Sequence, residues 1–402
     1  MTETTPKRVV LGVAAGIAAY KVCELLRRLT ESGHEVRVVP TGDALRFVGA
    51  ATWAALSGHP VATDVWSDVD EVPHVRLGQR ADLVFVAPAT ADMLARAAHG
   101  LADDLLTNVL LTARCPVVFA PAMHTEMWEH PATQANVAAL RDRGAIVVEP
   151  ASGRLTGTDT GPGRLPEPDE LFEVARRVLA RGTADRDLAG RRVVISAGGT
   201  REPIDPVRFV GNRSSGLQGY ALARTAVARG AQVTLVAANV ALPDPAGAHV
   251  VQVGAAEEMR KAVLEASHDA DAVVMAAAVA DFRPVDYLNS KIKKSETAEP
   301  PAIRLAKNPD ILAELVAARL AGQIIVGFAA ETDNVLEHGR AKLARKGCDL
   351  LVVNEVGEQL TFGAADNAAV VLAADGTSVE VPRGPKEALA DTVWDLVVTR
   401  LT

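Results

Sequence analysis

Two doubly wound α/β domains in tandem, joined near Asp187, are the fold that the sequence predicts. Three observations lead there. The chain has 402 residues, and single hydrophobic cores stop growing at roughly 250–300 residues. Short apolar runs alternate with helical patterns through both halves, as in a parallel sheet covered on both faces. A strand–glycine turn–helix unit begins at Arg8 and begins again at Arg192. Aromatic residues are 4% against 49% hydrophobic, so the core must be built from Ala, Val and Leu, which suits strands buried on both faces.

In the first domain, expected over residues 1–184, Arg8–Val13 reads as a strand running into a glycine-marked turn and an amphipathic helix. Glu35–Val39, Asp82–Ala87, Val117–Ala120 and Ala145–Val148 read as further strands, with a helix at Thr133–Arg143. Ala151–Asp169 is rich in Gly, Pro, Ser and Thr and lacks periodicity. It reads as a mobile flap, because a helix over Glu170–Arg181 follows it and the linker fits better at Gly182–Gly190.

The second domain, 185–402, repeats the rhythm. Strands are expected at Arg192–Ser196, Gln232–Ala237, Ala272–Ala278, Ile324–Ala329 and Asp349–Val353, and helices at Leu217–Arg229 and Val335–Lys346. Ala368–Leu372 and Ser378–Val381 can pair as a hairpin across Asp375-Gly376, and Lys386–Leu401 is a closing helix.

The formal net charge of −8 argues against a nucleic-acid or membrane-surface binder, while leaving room for a local basic pocket. Cys23, Cys115 and Cys348 are scattered, which fits neither a disulfide framework nor a zinc site. The start, MTETTPKR, lacks a signal-peptide apolar segment, and no stretch approaches ~20 apolar residues. A cytoplasmic location is expected.

The turn Gly12–Gly16 leads into a helix, where backbone N–H groups hold phosphates. It lacks the GxGxxG fingerprint, so a phosphate site and tight packing without a ligand stand level. The following strands end in Pro40-Thr41-Gly42, Ala87-Pro88-Ala89-Thr90-Ala91-Asp92 and Ala120-Pro121-Ala122-Met123-His124. Polar segments converging at strand carboxyl ends favour a ligand site.

GIAAYK, HVRLGQRADLVFVAPATADM, ADDLL, PAMHTEMW and GPGR make the first domain resemble the homo-oligomeric flavin-containing cysteine decarboxylases over residues 8–180. Its nearest likeness is to the phosphopantothenoylcysteine decarboxylases. The resemblance implies a flavodoxin/Rossmann-like FMN domain, with cofactor contacts at Gly16, Ile17, Thr41, Ala87, Thr90, Asp103 and Leu105. It also implies a catalytic base at His74, a residue type that titrates near neutrality, although alone it reads as a surface histidine in a Pro-His turn. Such enzymes oxidise the thiol to a thioaldehyde so that CO₂ can leave, and the flavin returns the electrons. Two departures stand out. His124 occupies a position that is Asn in the family, and remains a substrate-binding candidate. Gly157 stands where close relatives carry a proton-donating cysteine, which leaves Asp159 or water for that task.

The second domain opens with SAGGTREPIDPVRFVGNRSSG. Tyr287 and Lys291 fit YxxxK by spacing, but the GxxxGxG turn of short-chain dehydrogenases is absent. A lysine run is usually a solvated face; here Lys291-Ile292-Lys293-Lys294 follows AAAVADFRP and precedes AKNPDIL and GFAAET. Lys342 and Lys346, four apart, share a helix face. Several lysines in an acidic protein suggest a polyphosphate with Mg²⁺.

Together these segments resemble phosphopantothenate–cysteine ligase over residues 190–400. The resemblance implies a Rossmann-like domain that uses CTP to activate 4'-phosphopantothenate as an acyl-cytidylate before cysteine attacks. Asn212 would contact the acyl intermediate and Lys291 would serve the second half-reaction as well as the nucleotide. Ala277, Asp281, Pro309, Asp310, Phe328, Lys342 and Lys346 would line the nucleotide site, with Asp281 a candidate Mg²⁺ ligand. Gly199 replaces a common Pro, and Leu217-Gln218 a common Lys-Met pair.

Joined, the halves resemble the bacterial bifunctional enzymes of coenzyme A biosynthesis: ligation, then decarboxylation of 4'-phosphopantothenoylcysteine. The resemblance also implies a homododecamer built from trimers and dimers. Two other readings stay open: an active ligase fused to an impaired decarboxylase, and a nicotinamide oxidoreductase.

Overall fold

Strand β1 (Arg8–Val13) is buried from Val9 onward because helices cover both sides of the sheet it begins. It leads to α1 (Ala19–Glu31), which buries Val22, Leu25, Leu26 and Leu29 at helical spacing and ends before Gly33, at φ 85°. A computed structural model describes residues 6–62, 73–155, 159–181, 186–292, 302–331, 335–355 and 366–401.

The order continues β2 (Glu35–Pro40), α2 (Ala50–Ser57), α3 (Pro73–Arg80), β3 (Leu83–Ala89), α4 (Ala91–His99), α5 (Leu105–Thr112), β4 (Val117–Pro121), α6 (Thr125–Trp128), α7 (Pro131–Asp142) and β5 (Ile146–Val147). Thr90 caps α4 by accepting from the Met93 N–H, and Asp104 closes a capping box with Thr107 on α5. The five strands lie in the order β2-β1-β3-β4-β5, all parallel. This is the flavodoxin-like order, with its crossover between β1 and β3. Alternation along each strand divides the core in two: Val9, Leu11, Leu83 and Phe85 face one helical layer, and Val10, Val84, Val86 and Phe119 the other.

The segment read as a mobile flap contains an antiparallel hairpin, β6 (Ala151–Arg154) with β7 (Thr160–Arg164), followed by α8 (Pro168–Arg181). Its glycines are strand positions pressed flush against a neighbour: a Cβ at Gly163, where φ is 137°, would collide with the Met123 carbonyl. Composition alone reads such glycines as loop. Gly157 lies outside the described residues.

The contacts of the chain divide into two units, Met1–Asp185 and Arg186–Thr402. The second unit runs β8 (Arg192–Gly198), β9 (Arg201–Pro203), β10 (Phe209–Gly211), α9 (Leu217–Ala228), β11 (Gln232–Ala238), β12 (Ala248–Val253), α10 (Ala256–Ser267), β13 (Ala272–Met275), β14 (Phe282–Pro284), β15 (Leu305–Lys307), α11 (Ile311–Ala318), β16 (Ile324–Glu331), α12 (Val335–Lys346), β17 (Leu350–Glu355), β18 (Asp366–Ala373), β19 (Ser378–Pro385) and α13 (Lys386–Val398). Its large sheet has the order β12-β11-β8-β13-β16-β17-β18-β19. The first six strands are parallel and follow the Rossmann order, with the crossover between β8 and β13. The last two are antiparallel, and β18 and β19 form the hairpin expected across Asp375-Gly376. Two small ribbons, β9–β10 and β14–β15, form an arm beside the crossover.

Among the described residues no helix is long and apolar enough to cross a membrane.

Helices α9 and α13 are locked together by Arg229, which is 1% exposed. Its guanidinium donates to Asp187 (Nε to Oδ1, 2.8 Å), to Asp395 (2.8 Å) and to the Asp391 carbonyl (3.1 Å). Burial works against its charge, but the hydrogen bond and charge of Asp187, with Asp395, raise its pKa further. Replacing it removes the one guanidinium that Asp187, Asp391 and Asp395 share. Arg229→Leu is expected to lower the stability of the second unit by about 2 kcal/mol, read from urea denaturation of the full chain; an unchanged midpoint would show that the cluster contributes nothing.

Candidate functional sites

In the first unit, the loops after β1, β2, β3 and β4 open side by side at the carboxyl edge of the sheet. Gly16 and Ile17 lie in the turn between β1 and α1, and the Ile17 side chain is 73% exposed. Thr41 follows β2; its N–H donates to the Val13 carbonyl (2.9 Å) and its hydroxyl accepts from Ala44 N–H (3.3 Å). Ala87 lies in the buried run of β3, two residues before its end, and Thr90 caps α4. The Ala14 N–H bonds the Pro88 carbonyl at 3.2 Å, joining the β1 and β3 loops at the crossover. Gly16 has only the Pro88 side chain near its missing Cβ, at 3.7 Å. This edge combines free backbone, hydroxyls and an exposed apolar side chain, as a phosphate-bearing flat ring system requires.

Leu105 is buried at the start of α5, beside the capping Asp104. Asp103 is bound to Arg96 at 2.7 Å. His124 begins α6 with its side chain exposed. The β6–β7 hairpin is seated on that same segment: the Met123 N–H donates to the Gly163 carbonyl (2.9 Å) and the Thr125 hydroxyl to the Pro162 carbonyl (2.8 Å). The hairpin therefore borders the row of strand ends.

His74 stands apart from that row. It lies on α3, where its carbonyl accepts from the Thr112 hydroxyl at 2.9 Å. Thr112 is the last residue of α5, roughly 10 Å along that helix from Leu105. The His74 Nδ1 is buried and has no hydrogen-bond partner among the described residues.

In the second unit a cleft of about 760 Å³ opens at the β8/β13 crossover. Ser196 and Thr200, both buried, shape its floor: the Ser196 hydroxyl accepts from Ala277 N–H (3.1 Å) and the Thr200 hydroxyl from Ala280 N–H (2.9 Å). Asn212 follows the arm and donates to the Val279 carbonyl at 3.1 Å. Asn212, Ala277, Asp281, Pro309, Asp310, Phe328, Lys342 and Lys346 all line this one cleft.

Asp310 has two tasks there. One carboxylate oxygen caps α11 by accepting from Ala313 N–H (3.2 Å), and the other is bound by the Lys346 ammonium. Burial would raise its pKa, but the bonds from Lys346 and Ala313 outweigh that and hold it below the ordinary carboxylate value. Lys346 is thereby fixed in place on α12. Asp281 and Asp310 are the cleft's acidic residues among those described.

Lys291 does not line the cleft. It is exposed on the segment after β14, and the next residue is tied to the arm: the Ile292 N–H donates to Asp205 Oδ2 at 3.1 Å. Burial works to raise the Asp205 pKa, yet the N–H groups of Ile292, Val207 and Arg208 and the Arg208 guanidinium hold it at about 2. The carboxylate that anchors this segment is thus charged throughout the neutral and mildly acid range. Lys293 and Lys294 lie outside the described residues.

Beyond the predicted site residues, the lining includes Arg213 to Gly219 before and within α9, Lys307 and Asn308 of the AKNPDIL segment, and Asn354, Asn367 and Lys386. The SSG run carried a signal for the first group. Nothing local marks Asn354, Asn367 or Lys386, which arrive from β17, β18 and α13.

Comparison with known proteins agrees with this division. Residues 1–179 match the family described as Flavoprotein, and residues 188–401 match the DNA/pantothenate metabolism flavoprotein C-terminal domain. The chain is 60% identical over 407 residues to the coenzyme A biosynthesis bifunctional protein CoaBC of Mycobacterium tuberculosis, covering 98% of this chain and 97% of that protein. The corresponding protein of Mycolicibacterium smegmatis is 60% identical over 406 residues, with 98% of each covered. That of Vibrio cholerae is 41% identical over 400 residues, with 99% of each covered. Matched in both halves and along nearly its whole length, the chain belongs to the family of coenzyme A biosynthesis bifunctional proteins.

Proposed function

We propose that the second unit joins 4'-phosphopantothenate to cysteine at the expense of CTP, and that the first unit decarboxylates the resulting 4'-phosphopantothenoylcysteine to 4'-phosphopantetheine. The observation that carries this reading is the convergence of two lysines, two aspartates, Asn212 and Phe328 on one cleft at the Rossmann crossover. A carboxylate becomes an acyl donor when its oxygen attacks the α-phosphorus of CTP and pyrophosphate leaves. The cysteine amine then attacks the acyl carbon and CMP departs. Lys342 and Lys346 would neutralise the phosphates as charge builds on them, with Asp310 holding Lys346 in position. Phe328 would offer its ring to the base, and Asn212 its amide to the acyl group. Lys291, outside this cleft in its own chain, would serve the acyl intermediate of a second copy in the proposed dimer.

Mg²⁺ fits this donor set. It binds through one or two carboxylates and substrate phosphates rather than an all-protein cage, and among the described residues no group of three or more metal-ligating side chains exists. Asp281, not committed to a neighbouring lysine as Asp310 is, would be its carboxylate.

In the first unit FMN fits the row of strand ends, with Gly16, Ile17, Thr41, Ala87 and Thr90 around it and Asp103 and Leu105 at the α5 side. When bound, it supplies a two-electron acceptor that takes electrons from the cysteine thiol carbon and returns them after CO₂ leaves. His124 would hydrogen-bond the substrate carboxylate, and the β6–β7 hairpin above it would keep water away. Proton transfer is assigned to His74, whose buried Nδ1 lacks a partner among the described residues and which, standing apart from this row in its own chain, would act on a second copy's site, and to Asp159 or water where Gly157 replaces the usual cysteine.

The reactants are soluble metabolites, and we place both reactions in the cytoplasm. We also expect trimers through the first unit and dimers through the second, giving a homododecamer. The arm supports the dimer: Phe209, Phe282, Val285, Tyr287 and Leu305 are each 47–51% exposed on it, an apolar patch of the kind that self-association covers.

Incubation of the full chain with 4'-phosphopantothenate, cysteine, CTP and Mg²⁺ is expected to yield 4'-phosphopantetheine by mass spectrometry. A product that stops at the cysteine amide would favour the impaired-decarboxylase reading. Separate variants should separate the halves. Lys346→Met is expected to raise the KM for CTP about tenfold or more while leaving decarboxylation of supplied 4'-phosphopantothenoylcysteine intact. His124→Ala should do the reverse, slowing CO₂ release without changing CTP-dependent pyrophosphate release. A variant that impaired both activities equally would contradict the division of roles.

A further inference from the structure

The segment that carries Lys291 is seated on the turn between β9 and β10, and a buried carboxylate does most of the seating. The turn reads Ile204-Asp205-Pro206-Val207-Arg208, and Asp205 is 2% exposed. Its Oδ1 accepts from the N–H groups of Val207 and Arg208, both at 2.7 Å. This is the local loop that an aspartate closes with the backbone just beyond it, and it needs only one oxygen. The other, Oδ2, accepts from the Arg208 guanidinium (2.6 Å) and from the Ile292 N–H (3.1 Å). The same guanidinium donates to the Ile292 carbonyl at 3.3 Å, so both backbone groups of Ile292 are held. Earlier in the segment the Leu288 N–H donates to the Ile204 carbonyl at 3.0 Å. Lys291 therefore lies between two fixed points, with its side chain exposed.

The bond to Ile292 takes no part in closing the turn. For closure alone an asparagine would serve, since its amide oxygen could accept from both N–H groups; a carboxylate is required where both oxygens must accept. The second oxygen of Asp205 is committed to the Lys291 segment and to the arginine that shares it. A lysine is a point charge on a flexible stem, so its backbone is the part of it that a fold can fix. Such fixing matters where a charge must meet a reacting centre: a misplacement of about 1 Å can cost on the order of a hundredfold in rate. Asn212, which follows β10, has its own tie to the Val279 carbonyl (3.1 Å) and does not depend on the bond to Ile292.

We propose that Asp205 is a positioning residue for Lys291: it holds the segment that presents this lysine to the acyl intermediate, and so acts on the attack of the cysteine amine and not on the activation by CTP. This rests on the role given to Lys291 above. In that step the amine nitrogen bonds the acyl carbon and the bond from that carbon to the cytidylate oxygen breaks. CMP leaves with the electron pair, and the amine gives up a proton to solvent. Asp205 touches none of these atoms.

Asp205→Asn separates the two uses of the side chain. The amide oxygen can still accept from Val207 and Arg208, while the NH₂ faces the Ile292 N–H, donor against donor. Two steps are followed in single turnovers of the full chain with Mg²⁺. Pyrophosphate release from CTP and 4'-phosphopantothenate without cysteine is expected to stay within about twofold of wild type. Consumption of the acyl-cytidylate on adding cysteine, read by quenched-flow mass spectrometry, is expected to slow about tenfold or more. Equal slowing of both steps would mark a structural residue and overturn the proposal, as would an unchanged cysteine step. Lys291→Met completes a double-mutant cycle. Adding Asp205→Asn to it should slow the cysteine step no further, whereas additive losses would show that Asp205 does not act through Lys291 and overturn the proposal. The readings beneath it fail in other ways. Wild-type chain that releases no pyrophosphate defeats the ligase reading, and a cysteine step unchanged in Lys291→Met defeats the role of Lys291; either result takes the proposal with it.

Discussion

The constraint from which the rest of the molecule follows is the handedness of the strand–helix–strand crossover. Because such connections are right-handed, a parallel sheet that grows outward from its first strand in both directions must send its helices to opposite faces. The loops leaving the two central strands then part, and a crevice opens between them. Each unit has one such place, β1/β3 in the first and β8/β13 in the second. The crevice needs no specialised residues to exist. What the sequence adds are small residues and hydroxyls that let the loops approach: the Ala14–Pro88 bond in one unit, and in the other Ser196 and Thr200 holding Ala277 and Ala280.

Electrostatics then make the second crevice selective. The chain carries a net charge of −8, yet Arg213, Lys307, Lys342, Lys346 and Lys386 line its cleft against Asp281 and Asp310. An acidic body with a local cationic cleft repels non-specific polyanions while retaining a short polyphosphate. The lysines are not equivalent. Lys346 is oriented by Asp310, a carboxylate itself fixed by a helix N-terminus. Lys386 is buried, with the charges of Glu387 and Asp366 acting on it. One lysine is oriented by a carboxylate partner, and the other is desolvated, with Glu387 and Asp366 offsetting part of that cost.

Much of this was legible in the sequence because it is local. Strands of Val, Leu and Ala, the restart near Val193, and the Asp375-Gly376 turn all follow from short-range pattern. So do the candidate residues Asn212, Ala277, Asp281, Pro309, Asp310, Phe328, Lys342 and Lys346, which occur in recognisable segments and meet in the cleft. What failed to show was non-local. Lys386 is the first residue of a closing helix, and nothing local marks it; its place in the cleft depends on α13 lying beside α9. The glycines of β6–β7 were read as loop because composition does not reveal that Met123 and Thr125 lie against them. His74 and Lys291 carried motif signals, but within one chain neither reaches its unit's crevice.

These last two residues share a physical situation. Both lie on parts of their unit that are bound from behind and open in front. His74 is held by Thr112 and keeps a buried, unpaired ring nitrogen. Lys291 is exposed on an arm anchored by a carboxylate held at about 2. A buried nitrogen without a partner is costly to maintain, and an exposed apolar arm is costly to leave uncovered. Both costs fall if another copy of the chain supplies the missing surface. In a homo-oligomer, a residue that meets a neighbour in one copy does so in every copy. Under the assembly proposed above, the two sequence signals that the single chain does not gather would act between copies, and the same assembly would cover the apolar arm of the second unit.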